Sequence, residues 1–334
     1  MKTCAALFII LSFFIGCADL PPLDRMRGLA GSNPFVEENK QKPLKITFLD
    51  VGQGDSTLVM ASSTETMLID AGPPQAGRDI VLPFLEKVGV QKLKYLVATH
   101  YHDDHIGGIA EVIKGKDQVL GTDDDVIPTN GVIDRGGTHE ESSPVFDEYK
   151  KIVQPHRITV HPGDLFPVGE ASVEVLAENG ALENGSHIAL EPFDENSASI
   201  VLLLTYGDFH YLHATDITGG GGDPPYQTID VETSLAPLAG DVDVLRVAHH
   251  GSQTSTNETF LEITSPEAVV ISVGDENDYG HPHDEVINRL INDDVEIYQT
   301  ERGWLSDSYS NDDNVHIMNG SISLTVSDDT WSIE

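Results

Sequence analysis

Residues 99–108 carry a dense group of metal-binding side chains, and this segment constrains the fold more than any other part of the chain. It reads Thr-His-Tyr-His-Asp-Asp-His-Ile-Gly-Gly, a His-x-His-x-Asp-His pattern. An apolar run typical of a buried strand precedes it, and a helical pattern follows it. Imidazole and carboxylate are ligands that suit zinc, manganese or iron. The segment therefore predicts a metal site at the carboxyl end of a strand; a solvated hydrophilic turn is the alternative.

The rest of the body reads as strands interrupted by a few helices. Helical spacing is clearest in three segments, 79–90, 142–153 and 283–293. The tail from Asp307 predicts a terminal hairpin, and the four glycines at 219–222 predict a flexible linker. Together the patterns predict one α/β body in which sheet packs on sheet and helices lie outside.

Residues 1–17 predict a signal peptide. A lone Lys2 precedes an uncharged apolar run that is shorter than the roughly 20 residues needed to span a bilayer. The run ends in Phe-Ile-Gly-Cys, which resembles the bacterial lipobox, where cleavage before the cysteine leaves a lipid-anchored protein. Ordinary secretion and an uncleaved anchor are the alternatives. We therefore expect an exported, lipid-anchored cell-envelope protein that faces the periplasm or the exterior, with a flexible tether at 18–43 and a folded domain at 44–334.

The composition excludes two kinds of site. The only cysteines are Cys4 and Cys17, so the predicted domain has no disulfide, thiolate nucleophile or cysteine ligand. The chain has 19 Lys+Arg against 55 Asp+Glu, a formal net charge of −36, and no lysine follows Lys151. This excludes an extended basic nucleic-acid surface in the C-terminal half, and membrane contact is expected only through the lipid anchor. Divalent cations at the predicted metal site would still admit a short anionic substrate end.

The histidine segment belongs to an ordered set of motifs. The others are Phe48–Ser56, Leu68–Gly72, His249–Ser252 and Tyr279–His283. Together they resemble the metallo-β-lactamase superfamily, whose hallmark is His-x-His-x-Asp-His, and within it the domain of ComEC-type DNA-uptake competence proteins. The resemblance implies the αβ/βα sandwich, in which two mixed β-sheets pack together with helices outside.

The resemblance also implies a centre of two divalent ions, zinc or manganese. The implied ligands are His100 and His102 for one ion, Asp104 and His105 for the other, and Asp216 as the bridging carboxylate. The last ligand is one of His249 and His250, and the sequence does not distinguish them. The other member of that pair would then orient a ligand or act as a base.

One position departs from the family pattern. Asn196 stands where family members commonly place a third metal-binding histidine, which implies that one of the two ions is weakly bound. Asp70 matches an aspartate that orients ligands through hydrogen bonds, with a strand-end cap as the alternative. Gln53 and Asp55 lie on the first hairpin, which this fold places beside the metals; an ordinary turn is the alternative.

These features predict a metal-dependent phosphodiesterase or nuclease that cleaves extracellular DNA or a small phosphodiester through a metal-bound hydroxide. Asp104 would be both ligand and proton acceptor. His281 would protonate the leaving oxygen or contact a phosphoryl oxygen, with His283 as a further candidate beside it. Two other classes stay open: a lactonase or β-lactamase that hydrolyses carboxyl derivatives, and a non-catalytic surface binding module.

Overall fold

The computed structural model describes residues 42–137, 143–222, 227–327 and 330–334. The predicted signal peptide, and the predicted tether up to residue 41, lie outside these ranges. Within them, no helix is long and apolar enough to cross a membrane.

Eight strands form the first sheet: β1 (Leu44–Phe48), β2 (Thr57–Ser62), β3 (Glu65–Ile69), β4 (Tyr95–Ala98), β5 (Val132–Asp134), β6 (Arg157–Thr159), β18 (Ile322–Ser327) and β19 (Thr330–Ile333). Their order across the sheet is β19-β18-β1-β2-β3-β4-β5-β6. The predicted terminal hairpin is confirmed, because β18 pairs antiparallel with β19. Strands β3 to β6 are parallel, so their carboxyl ends meet at one edge.

The second sheet has nine strands: β7 (Leu165–Val168), β8 (Ala171–Glu178), β9 (Ala181–Leu182), β10 (Val201–Tyr206), β11 (Phe209–His213), β14 (Val244–Arg246), β15 (Ala268–Ile271), β16 (Glu296–Gln299) and β17 (Val315–Ile317). Their order is β17-β16-β15-β14-β11-β10-β8-β7, with β9 paired to β8. Strands β11, β14, β15, β16 and β17 are parallel, so this sheet also gathers carboxyl ends at one edge.

The glycine run forms part of a small ribbon, so the prediction of a flexible linker is wrong for residues 219–221. Strand β12 (Gly219–Gly221) pairs antiparallel with β13 (Thr228–Asp230). A Cβ atom at Gly219 would lie 2.2 Å from Oε2 of Glu232, so only glycine lets the ribbon approach that buried side chain. The run therefore permits close packing.

Seven α-helices of the described chain flank the sheets: α1 (Leu82–Lys87), α2 (Asp103–Ile106), α3 (Ile109–Ile113), α4 (Pro144–Val153), α5 (Glu232–Ala239), α6 (Glu258–Thr264) and α7 (Asp284–Asn292). Shorter helical turns cover Gly77–Val81, Gln154–His156, Asn196–Ala198 and Ala248–Gly251.

Alternating side chains along the strands divide the core into three layers. Leu44, Ile46 and Phe48 of β1 lie between the two sheets, in a cluster with residues of the second sheet. On β4, Leu96 and Ala98 face the opposite way and pack with residues of α1, α3 and α4. A third cluster joins the outer face of the second sheet to α5, α6 and α7. The predicted α/β sandwich with outer helices is confirmed.

Candidate metal centre

The histidine segment and its partners come from the carboxyl ends of parallel strands in both sheets. His100 follows β4, Asp216 follows β11, and the pair His249 and His250 follows β14. A Cβ atom at Gly54 would lie 2.4 Å from the carbonyl oxygen of Asp104, so the first hairpin packs directly on the histidine segment. The sandwich therefore brings together polar side chains that lie far apart in the sequence.

Asp70 fixes the ring of His105. Its Oδ2 lies 2.7 Å from Nδ1 of His105, and both side chains are fully buried. The same carboxylate accepts hydrogen bonds from the backbone N–H of Thr99 at 2.9 Å and from its hydroxyl at 2.6 Å. A histidine that donates through Nδ1 keeps the lone pair of Nε2 available for a metal. The predicted orienting role of Asp70 therefore has the geometry it needs.

Two histidines converge on one oxygen of Asp216. Oδ2 lies 3.3 Å from Nε2 of His105 and 3.5 Å from Nε2 of His250, which also lies 3.5 Å from Oδ2 of Asp104. Among the described residues, neither buried Nε2 has a hydrogen-bond partner. The Nδ1 atom of His250 lies 2.7 Å from the carbonyl oxygen of Ser272, which fixes its ring as Asp70 fixes that of His105. This donor set fits a divalent cation, and His250 is the member of the histidine pair that joins it.

A second group lies beside the first. Nε2 of His100 is 3.1 Å from Nδ1 of His102 and 3.9 Å from Oδ2 of Asp216. Two nitrogens at that separation can share an ion, since zinc–nitrogen bonds are about 2.0–2.1 Å long. Nε2 of His249 lies 3.2 Å from Nδ2 of Asn196. The predicted ligands thus form two adjacent groups that share the carboxylate of Asp216.

The two consecutive histidines require an uncommon backbone. His249 has φ 49° and ψ 47°, and His250 has φ 54° and ψ 23°, both in the left-handed region. That region is sparsely populated by residues other than glycine and tends to occur at functional sites. The N–H of His249 donates to the carbonyl oxygen of Thr215 at 2.9 Å, which ties this turn to the loop that carries Asp216. The left-handed turn presents the two imidazoles to different neighbours.

A buried arginine that the sequence analysis did not single out supports the centre. Nε of Arg246 lies 2.9 Å from Oδ2 of Asp55, and its Nη1 lies 3.2 Å from Oδ1 of Asp216. All three side chains are buried. Burial would raise the pKa of Asp55, but Arg246 and His213 hold it below its usual value. A single arginine in an otherwise apolar strand is the sequence signal that could have indicated this role.

The carboxylates make the centre attractive to positive charge. Burial alone would lower the pKa of His250, but the carboxylates of Asp216 and Asp104 raise it to about 9. Burial would likewise raise the pKa of Asp216, which His105 and His250 hold well below its usual value. The same attraction that favours protons on these histidines favours a metal cation in their place.

A cleft of about 910 Å³ opens beside His249 and is lined by His281, His283 and Tyr279. Asn277 holds His281 in place, since its Oδ1 accepts the N–H of His281 at 3.0 Å and its Nδ2 donates to the carbonyl oxygen at 2.7 Å. Burial, with the charges of neighbouring histidines, lowers the pKa of His281 to about 2. A neutral imidazole in this position suits hydrogen bonding to substrate better than delivery of a proton.

The other predicted residues lie around these groups. Gln53 accepts a hydrogen bond from the N–H of Gly274 at 3.2 Å, which joins the first hairpin to the loop after β15. His283 begins α7, and its Nδ1 accepts the N–H of Gln253 at 3.2 Å. Asp55 belongs to the buried ion pair with Arg246. The hairpin therefore supports the centre through Asp55, while Gln53 braces a neighbouring loop.

The chain belongs to the metallo-beta-lactamase superfamily, whose family model matches residues 49–275. It is 27% identical to the ComE operon protein 3 of Bacillus subtilis over 287 residues, which cover 80% of this chain and 33% of that protein. It is also 27% identical to the competence protein ComA of Neisseria gonorrhoeae over 304 residues, or 90% of this chain and 37% of that one. The predicted resemblance is confirmed, and the chain spans about a third of the length of these relatives.

The chain is also similar to solved structures at low sequence identity. The metallo-beta-lactamase fold protein YhfI from Bacillus subtilis is 14% identical, with a TM-score of 0.47, over 78% of this chain and 98% of that one.

Proposed function

We propose that this protein is a metal-dependent phosphodiesterase that uses two divalent ions, zinc or manganese, one of them held more weakly. The observation that carries the proposal is the convergence on Oδ2 of Asp216, which lies 3.3 Å from His105, 3.5 Å from His250 and 3.9 Å from His100. A carboxylate between two groups of ligands would suit a site that holds two divalent ions. Asp104, His105 and His250 would hold one ion, and His100 and His102 the other.

The chain's own residues would position and activate the reactants. When bound, two divalent ions supply a water of lowered pKa and neutralise charge on a phosphoryl group. Asp104 would accept the proton of the attacking water; its Oδ2 lies 3.5 Å from Nε2 of His250, and its side chain is 27% exposed. His281, held by Asn277 at the wall of the cleft, would donate a hydrogen bond to a phosphoryl oxygen. Asp70 and Arg246 would keep His105 and Asp216 oriented.

Two observations support a phosphodiester as the substrate. One curated relative is named a competence protein and another a recombination protein, which fits a role in handling DNA. The formal charge of −36 disfavours a long polyanion, so a strand end or a small phosphodiester fits better than an extended duplex.

The test is an assay of metal-loaded protein on single-stranded DNA and on bis-p-nitrophenyl phosphate, beside nitrocefin and a panel of lactones. We expect phosphodiester cleavage that His102→Ala and Asp104→Ala abolish. His316→Ala is the matched control, because His316 pairs with Glu296 on the surface of the second sheet. Turnover of lactones or nitrocefin alone would make the protein a hydrolase of carboxyl derivatives. Absence of both turnover and bound metal would indicate a binding module.

We also propose that residues 1–17 direct export and that Cys17 carries a lipid anchor. The support is the apolar run that ends in Phe-Ile-Gly-Cys. Cys17→Ser should move the protein from the membrane fraction to the soluble extracytoplasmic fraction, with Cys4→Ser as the control. Equal membrane retention of Cys17→Ser and wild type would contradict the anchor.

A further inference from the structure

Two large aromatic side chains stand exposed on the loops around His281. Tyr279 is 64% exposed and Trp304 is 57% exposed, although most large apolar side chains of the described residues are buried. The ring of Tyr279 stacks on that of His281, with centroids 5.7 Å apart and planes 22° apart. Tyr279 also lines the cleft beside the metal centre. The ring therefore lies beside a residue of the site, and much of its surface is open to solvent.

Hydrogen bonds hold both aromatics to the same loop. Oδ1 of Asn277 accepts the N–H of Tyr279 at 3.2 Å and that of His281 at 3.0 Å. The indole N–H of Trp304 donates to the carbonyl oxygen of Asn277, and its backbone N–H donates to the carbonyl oxygen of His281 at 2.9 Å. The loop thus holds two exposed aromatic side chains at fixed positions around His281, and Tyr and Trp are residue types enriched at binding interfaces.

The cleft offers no cation to a phosphate backbone among its described residues. Its described lining contains no lysine or arginine, and it includes the acidic residues Glu191 and Asp194. Apart from the phosphate at the metal centre, a nucleic acid strand therefore has to be held there by something other than its backbone charge. Stacking of bases on aromatic rings meets that need, because every base has a π-face and the interaction does not depend on backbone charge.

We propose that Tyr279 is a stacking platform for an unpaired nucleobase next to the scissile phosphate, and that Trp304 extends this surface. The substrate class is then single-stranded nucleic acid or a nucleotide-terminated phosphodiester. This inference rests on the proposed function, because it places the phosphate at the metal centre and the adjacent base over Tyr279. Internal base pairs of a duplex expose no face to the ring, so duplex DNA should be the poorer substrate.

The test combines a variant of the protein with a variant of the substrate. Wild type, Tyr279→Ala and Tyr279→Phe are assayed on a short single strand and on a strand of equal length with abasic residues at the cleaved positions. Tyr279→Ala should raise the KM for the base-bearing strand about tenfold, and Tyr279→Phe should behave as wild type because it keeps the ring. Removal of the bases should raise the wild-type KM similarly, and combining both changes should cost no more than either one. Leu165→Ala, at an exposed leucine of β7, is the control for loss of exposed apolar surface.

The same comparison made by fluorescence anisotropy separates this inference from the proposed function. If metal-loaded wild type cleaves neither strand but binds the base-bearing strand more tightly than the abasic one through Tyr279, stacking stands and the phosphodiesterase proposal fails. If Tyr279→Ala weakens the binding of both strands equally, the ring serves only to support His281, and the stacking inference is overturned. Equal binding of both strands by wild type would overturn it as well.

Discussion

The amide nitrogen of Asn196 lies 3.2 Å from Nε2 of His249, although 53 positions separate the two residues in the chain. Asn196 occupies the place where the family pattern commonly has a metal-binding histidine. His249 arrives there from the loop after β14. Burial, together with the neighbouring histidines His105, His102 and His249, holds the pKa of His100 well below its usual value. Nδ1 of His249 and Oδ1 of Asn196 are both buried without a hydrogen-bond partner among the described residues. The two side chains thus lie beside His100 and His102, and each keeps one buried polar atom without a hydrogen-bond partner in the described part of the chain.

Asn196→His is expected to strengthen metal binding at the weaker position, because it adds an imidazole beside His100 and His102. We expect the affinity for zinc or manganese at that position to rise about tenfold. A competition titration with a chromogenic chelator measures it, with metal content determined in parallel. Asn292→His, which adds a histidine at the exposed end of α7, is the control. Unchanged affinity in Asn196→His would show that residue 196 does not face the ion.

Asp70→Asn should weaken metal binding without removing a ligand. The amide cannot hold the Nδ1–H of His105 as the carboxylate does at 2.7 Å, so the ring loses its fixed orientation. Loss of such an outer hydrogen bond typically costs 10–100-fold in affinity. Isothermal titration of metal into apo protein measures the change, and Asp79→Asn, at an exposed acid, should leave it unaltered. A metal affinity equal to that of wild type would show that Asp70 acts only as a strand-end cap.

Arg246→Met should strongly destabilise the metal-free protein. It leaves Asp55 and Asp216 buried without their shared cation, and breaking a buried pair in this way costs about 3–5 kcal/mol. The double variant Arg246→Met/Asp55→Asn should recover part of the loss, because it removes one of the two stranded charges. Urea denaturation in the presence of a chelator gives the free energies of unfolding. Arg78→Met, which breaks an exposed pair, should change the free energy of unfolding far less.

Glu232 should make stability fall as the pH rises. Burial raises its pKa to about 8 from an ordinary value of 4.5, against the hydrogen bonds from Asn257 and Thr256. The unfolded chain therefore releases this proton first, and the free energy of unfolding decreases between about pH 4.5 and 8, by at most about 1.4 kcal/mol per unit. Glu232→Gln should flatten this part of the profile in thermal unfolding. A profile unaltered relative to wild type, or flattened equally by the exposed Glu262→Gln, would contradict this assignment.

The sequence could predict the part of the site whose residues lie close together in the chain. His100, His102, Asp104 and His105 lie within six positions at the end of an apolar run, so their types and spacing already indicate a metal site. The outer helices and the sheet-on-sheet core could also be predicted, since their apolar periodicities are local. Contacts across the sandwich could not. The pairing of Arg246 with Asp55 depends on the parallel register of β11 and β14, in which His213 lies opposite Arg246.

The two adjacent histidines could be distinguished only by geometry. His249 and His250 are the same residue type at consecutive positions, so no spacing rule predicts which one joins Asp104 and Asp216. The left-handed turn at 249–250 directs His250 toward Asp104 and His249 toward Asn196. The glycine run likewise contains no side chain from which its pairing with β13 could be predicted.

Arg246 gives the centre a permanent positive charge that a chelator cannot remove. Its guanidinium engages Oδ1 of Asp216, while Oδ2 of the same carboxylate faces the histidines. The acidic interior is thus partly neutralised before any metal arrives, and the ligand rings are already oriented by their own hydrogen bonds. We therefore expect folding to be independent of metal binding, so that the chain can fold without an ion and bind one afterwards.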